Sequence, residues 1–279
     1  MLRRLFDFFI FSSLFIAGCA VLMVYQVNDL FKLQYRPAHY LWFVFFSTIC
    51  SYNFHWYFTP DTTSENRRIL WTHKHKRIHL LFIIVSGIGA FLFFLPLIEY
   101  WLWIGISVLL TFLYSAPKLP FRAAFFLRKI AIGKTIFLSM VWTYVTTILP
   151  FILSGESWTP SHVLFCTGRF FFIYAICIIF DFRDREQDKR EGIKSMITSF
   201  NEKGINILFY ISLALSFIST AALYYYAFPM PLVLVLLLPL FIVAGLYNYM
   251  KKHFSDYLYY FILDGMMVFS ALFTSFLSF

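Results

Sequence analysis

The sequence predicts an all-α membrane protein: nine transmembrane helices in one bundle, arranged as two four-helix halves around a central cavity. Three observations lead there. Of 279 residues, 61% are hydrophobic and 23% aromatic, with a mean hydropathy of +0.74, which is more apolar surface than a soluble fold of this size can hide. Apolar runs of about 18–24 residues, enough to cross about 30 Å of hydrocarbon as helix, recur along the chain. The basic residues gather between alternate pairs of these runs.

The first run, near 8–26, follows Arg3 and Arg4 as the apolar core of a signal peptide would. It has the length of a span and no small-residue cleavage site follows, so it reads as a retained first helix. Runs near 38–58, 78–97 and 99–116 come next, the last two joined tightly at Leu97–Glu99. The fifth and sixth lie near 131–153 and 162–180, and the sixth contains Arg169. Runs near 205–227 and 230–249 meet at Phe228–Pro231, and 257–278 completes the series. No Gly/Ser/Pro-rich linker interrupts them, so 1–279 reads as one polytopic domain.

A net charge of +9 raises nucleic acid as a partner, and the placement of the bases argues for a lipid bilayer instead. With the N-terminus in the cytoplasm, 20 of 23 lysines and arginines fall on that side. Lys32 and Arg36 fall outside, and Arg169 lies within a span. An odd number of spans puts the C-terminus on the far side, in what reads as the cytoplasmic membrane of a bacterium. The four cysteines lie inside apolar runs without metal-knuckle spacing and read as small buried hydrophobes. Unusually polar sequence follows the second and sixth runs, four spans apart, which suggests the two halves.

The densest charge is D181FRDREQDKREGIKS195. Asp181, Asp184 and Asp188 are spaced i, i+3, i+7, so a continued sixth helix lines their carboxylates along one face. Mg²⁺ would relieve their repulsion, taking carboxylate oxygens and completing its shell with phosphate oxygens; pairing with the interspersed bases is the alternative. The second polar cluster, residues 51–68, places Asn53, Tyr57 and Asp61 four apart, with Pro60 ending or bending the helix. His55, His73, His75 and His79 fit a basic juxtamembrane face better than a metal site. Tyr114 and Lys118, in Y114SAPK118, place a phenol and an ammonium together. Arg169 needs either Asp264 or a substrate as partner. A transporter fits less well, for midplane Gly/Pro breaks are sparse.

D181xxD184xxxD188 with Arg183, Glu186 and Gly192 resembles the second aspartate-rich motif of the UbiA superfamily of intramembrane prenyltransferases. Y114SAPK118 is similar to that family's YxxxK motif, and nine helices with acidic motifs after the second and sixth is its layout. The resemblance implies Mg²⁺-dependent transfer of a polyprenyl group from an isoprenoid diphosphate to an aromatic or other lipophilic acceptor, as in isoprenoid or quinone biosynthesis. It assigns Asp181, Asp184, Asp188 and Asp61 to the metal, with Asn53 completing the catalytic set. Tyr57, Arg67, Tyr114, Lys118, Arg183 and Lys194 fall to substrate binding. The first motif departs from the family pattern: Asn53 and Asp61 remain, while Phe54 and Tyr57 stand where carboxylates belong. A catalytically impaired relative that binds a lipid or protein is therefore the competing expectation.

Overall fold

The computed structural model describes residues 2–59, 67–115, 134–190 and 196–274, with backbone only at 115, 134, 186–188, 190, 196 and 197. An unpaired backbone N–H or C=O costs several kcal/mol in hydrocarbon, which restricts a chain this apolar to helices or closed barrels. The described elements are helical throughout. In order they are α1 (Leu2–Phe11), α2 (Leu14–Leu30), α3 (Pro37–Tyr57), the short α4 (Arg67–Lys74), α5 (Lys76–Phe94) and α6 (Trp101–Ser115). Then come α7 (Lys134–Thr143), α8 (Leu149–Ser154), α9 (Pro160–Arg190), the one-turn α10 (Met196–Ser199), α11 (Glu202–Ala222), α12 (Met230–Met250) and α13 (Asp264–Thr274).

Among the described residues five helical runs are long and apolar enough to cross a membrane, or six if α1 and α2 form one broken span. Those two helices are bent by 58°. The apolar run expected near 8–26 therefore contains a break. Ser13 adopts a left-handed conformation, φ 69°, which an α-helix cannot continue through. Ser12 and Ser13 are poor helix-interior residues, so the break falls where propensity is weakest.

The 39-residue run Lys76–Tyr114 folds back on itself. Arg36 Nη1 at the start of α3 donates to Pro96 O (2.7 Å), while Tyr114 stacks on His55 near the end of α3, ring centroids 5.5 Å apart. Both contacts hold only if α6 returns alongside α3. The 3₁₀ segment Leu95–Tyr100, with Pro96 in its first turn, makes the reversal at the tight join expected near Leu97–Glu99.

α9 is the axis of the bundle. Ile173, Ala175, Ile178 and Ile179 are fully buried on successive sides, the pattern of a helix surrounded by others. By contrast, α5, α6, α11 and α12 turn large apolar side chains such as Leu81, Phe91, Val108, Ile218 and Phe241 outward, as a lipid solvent permits. The α3–α5 seam is built from an aromatic cluster in which Trp42, Phe46 and Phe93 stack on one another.

Pro150 shapes the middle of the bundle. It has no N–H, so Thr146 O loses its α-helical donor and Val145 O its π-helical one. The helix widens there into a π turn, Tyr144–Ile148. Tyr40 OH donates to Val145 O (2.6 Å), and Arg169 Nη1 approaches Thr146 O (3.4 Å). Arg169 also donates to Met23 O and Gln26 Oε1. Asp264, the sequence candidate for its partner, lies instead in the field of Arg68 and Arg183.

A Cβ at Gly89 would meet the Phe46 ring at 2.7 Å, and that ring packs against both Trp42 and Phe93. Gly89→Leu is expected to destabilise the protein by about 1–3 kcal/mol through overpacking. Thermal unfolding in detergent, compared with the lipid-facing Val108→Leu, measures it.

Candidate active site at the charged end of the bundle

α9 runs on through Phe180 to Arg190, so Asp181, Asp184 and Asp188 do share one helical face. Arg185 Nη2 donates to Phe200 O (2.7 Å), tying this extension to the segment before α11. Asp181 is buried and accepts from Thr135 Oγ1 in the first turn of α7. Asp184 is half-exposed and gripped by Arg183, Nε to Oδ1 at 2.7 Å and Nη2 to Oδ2 at 3.2 Å. Arg183 Nη2 also donates to Tyr260 OH (3.1 Å), and its guanidinium lies 4.8 Å from the Tyr259 ring centroid. The side chain of Asp188, and all of Asp61, Lys118 and Lys194, lie outside the described residues.

Asn53 is fully buried. Its Nδ2 donates to Ser12 O (2.9 Å) and Ile49 O (2.8 Å), and its Oδ1 accepts from His79 Nδ1 (2.6 Å). One amide thus ties α3 to the α1–α2 break and to α5. Tyr57 ends α3 with its ring edge-on to Phe58. Arg67 pairs with Asp7 of α1, whose other oxygen accepts from Tyr257 OH, so this base helps hold α1 across the charged end. His75 and His79 pack on Trp71.

Sequence reasoning missed Asp7, Thr135, Asp256 and Tyr260, and took Arg68 only as a surface base. Arg68 is 3% exposed, its guanidinium 4.2 Å from the Trp56 ring centroid and 4.1 Å from that of Tyr260. A chain of contacts through Trp56, Arg68, Tyr260, Arg183 and Asp184 therefore joins the end of α3 to the end of α9. Its members are scattered over about 200 residues, and in sequence the tyrosines look like an aromatic belt. Arg68 N–H donates to Asp256 Oδ2 (3.0 Å). Burial lowers Arg68 below the usual guanidinium range and raises Asp256 above the usual carboxylate range, the Arg68 N–H bond partly offsetting the latter.

Asp181 and Asp184 offer hard oxygen donors one turn apart, the chemistry Mg²⁺ takes. Asp181 keeps lone pairs beyond its Thr135 bond, and Asp184 beyond its two bonds from Arg183. Among the described residues no three His, Cys, Asp or Glu side chains converge as a ready-made cage. Asp61 and the side chain of Asp188 are not among these residues.

An all-helical membrane bundle with carboxylates lining the end of its central helix defines a class of intramembrane protein with a polar surface site. The family model of the UbiA prenyltransferase family matches residues 66–257, so the chain belongs to that family. The match takes in Tyr114 to Lys118 and Asp181 to Asp188, and begins after the altered stretch at 53–61. Among solved structures, a UbiA homolog from Archaeoglobus fulgidus bound to GPP and Mg²⁺ has the same fold, with a TM-score of 0.63 at 16% identity, covering 97% of this chain and 100% of that one. No curated protein matches the chain.

An acid whose folded pKa is raised holds its proton more tightly in the folded state, so its contribution to stability is full at low pH and is lost as pH rises through the folded pKa. Asp256, raised from 3.8, is such a group. The stability of wild type relative to Asp256→Asn is therefore expected to fall as pH rises above about 4. Unfolding midpoints of the two proteins between pH 3.5 and 7 check the sign.

Proposed function

We propose that this protein transfers a prenyl group from an isoprenoid diphosphate to an aromatic or other lipophilic acceptor within the membrane. The observation that carries the reading is the unbroken α9, which brings Asp181, Asp184 and Asp188 onto one face beyond the apolar part of the helix, in a chain of the UbiA family. The homolog with GPP and Mg²⁺ supports the choice of ligands. Asp181, Asp184 and Asp188, with Asp61, would hold Mg²⁺, which when bound draws charge from the leaving diphosphate.

The remaining work falls to the chain. Arg67, Lys118, Lys194 and Arg183 take up negative charge on the diphosphate, with Tyr57 and Tyr114 donating hydrogen bonds to its oxygens. Arg183, now on Asp184, would turn toward the diphosphate. Asn53 acts by fixing α3 against α1 and α5. Aromatic faces stabilise the cation-like allylic carbon until the acceptor attacks it. In this reading the chain has nine spans in two four-helix halves around a central cavity, the fold-back at Leu95–Tyr100 separating the third from the fourth. The N-terminus and acidic end face the cytoplasm of a bacterium and the C-terminus faces outward, as the 20 bases on one side support.

One observation favours the competing reading, a relative that binds a lipid or protein without turnover. Both remaining polar landmarks are already engaged, Asn53 by backbone and His79, and Asp184 by Arg183.

The test is Mg²⁺-dependent release of diphosphate from labelled prenyl diphosphates of several lengths, with a panel of acceptors. Asp184→Ala is expected to lower the rate at least about 100-fold, the scale of losing one charge-stabilising group. Tight Mg²⁺-dependent binding without turnover across the panel would move the protein to the second reading. Lys118→Ala is expected to raise KM for the diphosphate about tenfold, the value of one charge-assisted hydrogen bond, as steady-state kinetics would read.

A further inference from the structure

Arg169 lies twelve residues before Asp181 on α9, about 18 Å away along the helix axis at 1.5 Å per residue. Beside it is a partly open cavity of about 40 Å³ walled by α2, α9, α11, α12 and α13. At about 10–15 Å³ per water on this measure, it admits a group of about three heavy atoms.

The guanidinium has five N–H groups. Nη1 donates to Met23 O and Thr147 Oγ1 (both 3.1 Å), with Thr146 O at 3.4 Å, and Nη2 donates to Gln26 Oε1. Gln26 Nε2 donates to Ser270 and Thr274 (both 3.2 Å), which keeps its oxygen turned to the arginine. All these partners are neutral, and among the described residues no carboxylate pairs with Arg169. Nε–H and one Nη2 hydrogen have no partner there. Nor does the hydroxyl of Thr220, 8% exposed, which lines the same cavity. A cation set among neutral acceptors within the membrane calls for an anion. Two open guanidinium donors fit a planar carboxylate, and a carboxylate has the three heavy atoms the cavity admits. The 18 Å to Asp181 is far longer than one aromatic ring and its carboxylate, so an aromatic acid held here would not reach the acidic end.

We propose that this cavity binds the carboxylate of a long-chain fatty acid, the head group on Arg169 and Thr220 and the tail leaving through the open side toward lipid. The site is independent of the prenyl-transfer reading. The test uses the purified full chain in detergent, with palmitate, hexadecanol and acetate as probes and thermal stabilisation and native mass spectrometry as readouts. Palmitate is expected to bind saturably and raise Tm where hexadecanol does not. Arg169→Gln is expected to weaken palmitate at least about tenfold, the loss of a charge-assisted pair, and Thr220→Val several-fold with the unliganded Tm little changed. Equal effects of palmitate and hexadecanol, or palmitate binding untouched by both substitutions, would overturn the site. Acetate stabilising as well as palmitate would overturn the lipid source. If Arg169→Gln does not fold, Thr220→Val decides.

Discussion

Hydrocarbon offers no hydrogen bonds, and that constraint organises this molecule more than any apolar contact does. Greasy side chains gain little by choosing each other over lipid tails, so helix contacts alone specify weakly. Polar groups have no such latitude. Asn53 finds Ser12, Ile49 and His79, and by doing so fixes three chain segments at one point. Arg169 finds α2 and the π turn, and Tyr40 finds the carbonyl that Pro150 leaves without its π-helical donor. The register of α2, α3, α5, α7 and α9 follows from a few such bonds, with the aromatic cluster of Trp42, Phe46 and Phe93 filling the space between α3 and α5.

The charged end works under the opposite rule, because water and ions reach it and like charges there repel. Asp181 and Asp184 lie one turn apart and are handled differently: a buried hydroxyl serves one and a guanidinium the other. Arg183 is held in turn by Tyr260, so the grip on Asp184 is anchored to the segment before α13. Arg67 is likewise drawn away from the acids of α9 by Asp7 and Tyr257. These pairs give the site an ion-paired resting arrangement in place of exposed, repelling charges.

Hydropathy and charge asymmetry made the fold class legible, and the i, i+3, i+7 spacing on α9 was sound because helix geometry is local. The tight turn at Leu97–Glu99 was also visible, since Pro96 marks it. What the sequence hid were relationships between distant segments. Nothing near Arg68 distinguishes it from Arg67, yet one enters an aromatic slot and the other meets Asp7. The break at Ser12–Ser13 was missed because a hydropathy window averages over two residues that backbone conformation singles out. Asp264 was a reasonable partner for Arg169 by charge, and lost to Gln26 and open carbonyls because the π turn could not be foreseen from composition.

The altered first motif changes the electrostatics of the site in a definite direction. α3 carries no carboxylate, Phe54 and Tyr57 pack on Phe58, and Trp56 lies 4.2 Å from the guanidinium of Arg68. Such a surface offers no carboxylate oxygen to coordinate a dication. The end of α9 interleaves four acids with four bases, whereas the side next to α3 carries Arg67 and Arg68 of α4, the first paired with Asp7 and the second between Trp56 and Tyr260. The aromatic replacements at 54 and 57 are then compatible with an anion-binding site, because they remove carboxylates from the side where arginine already supplies the positive charge.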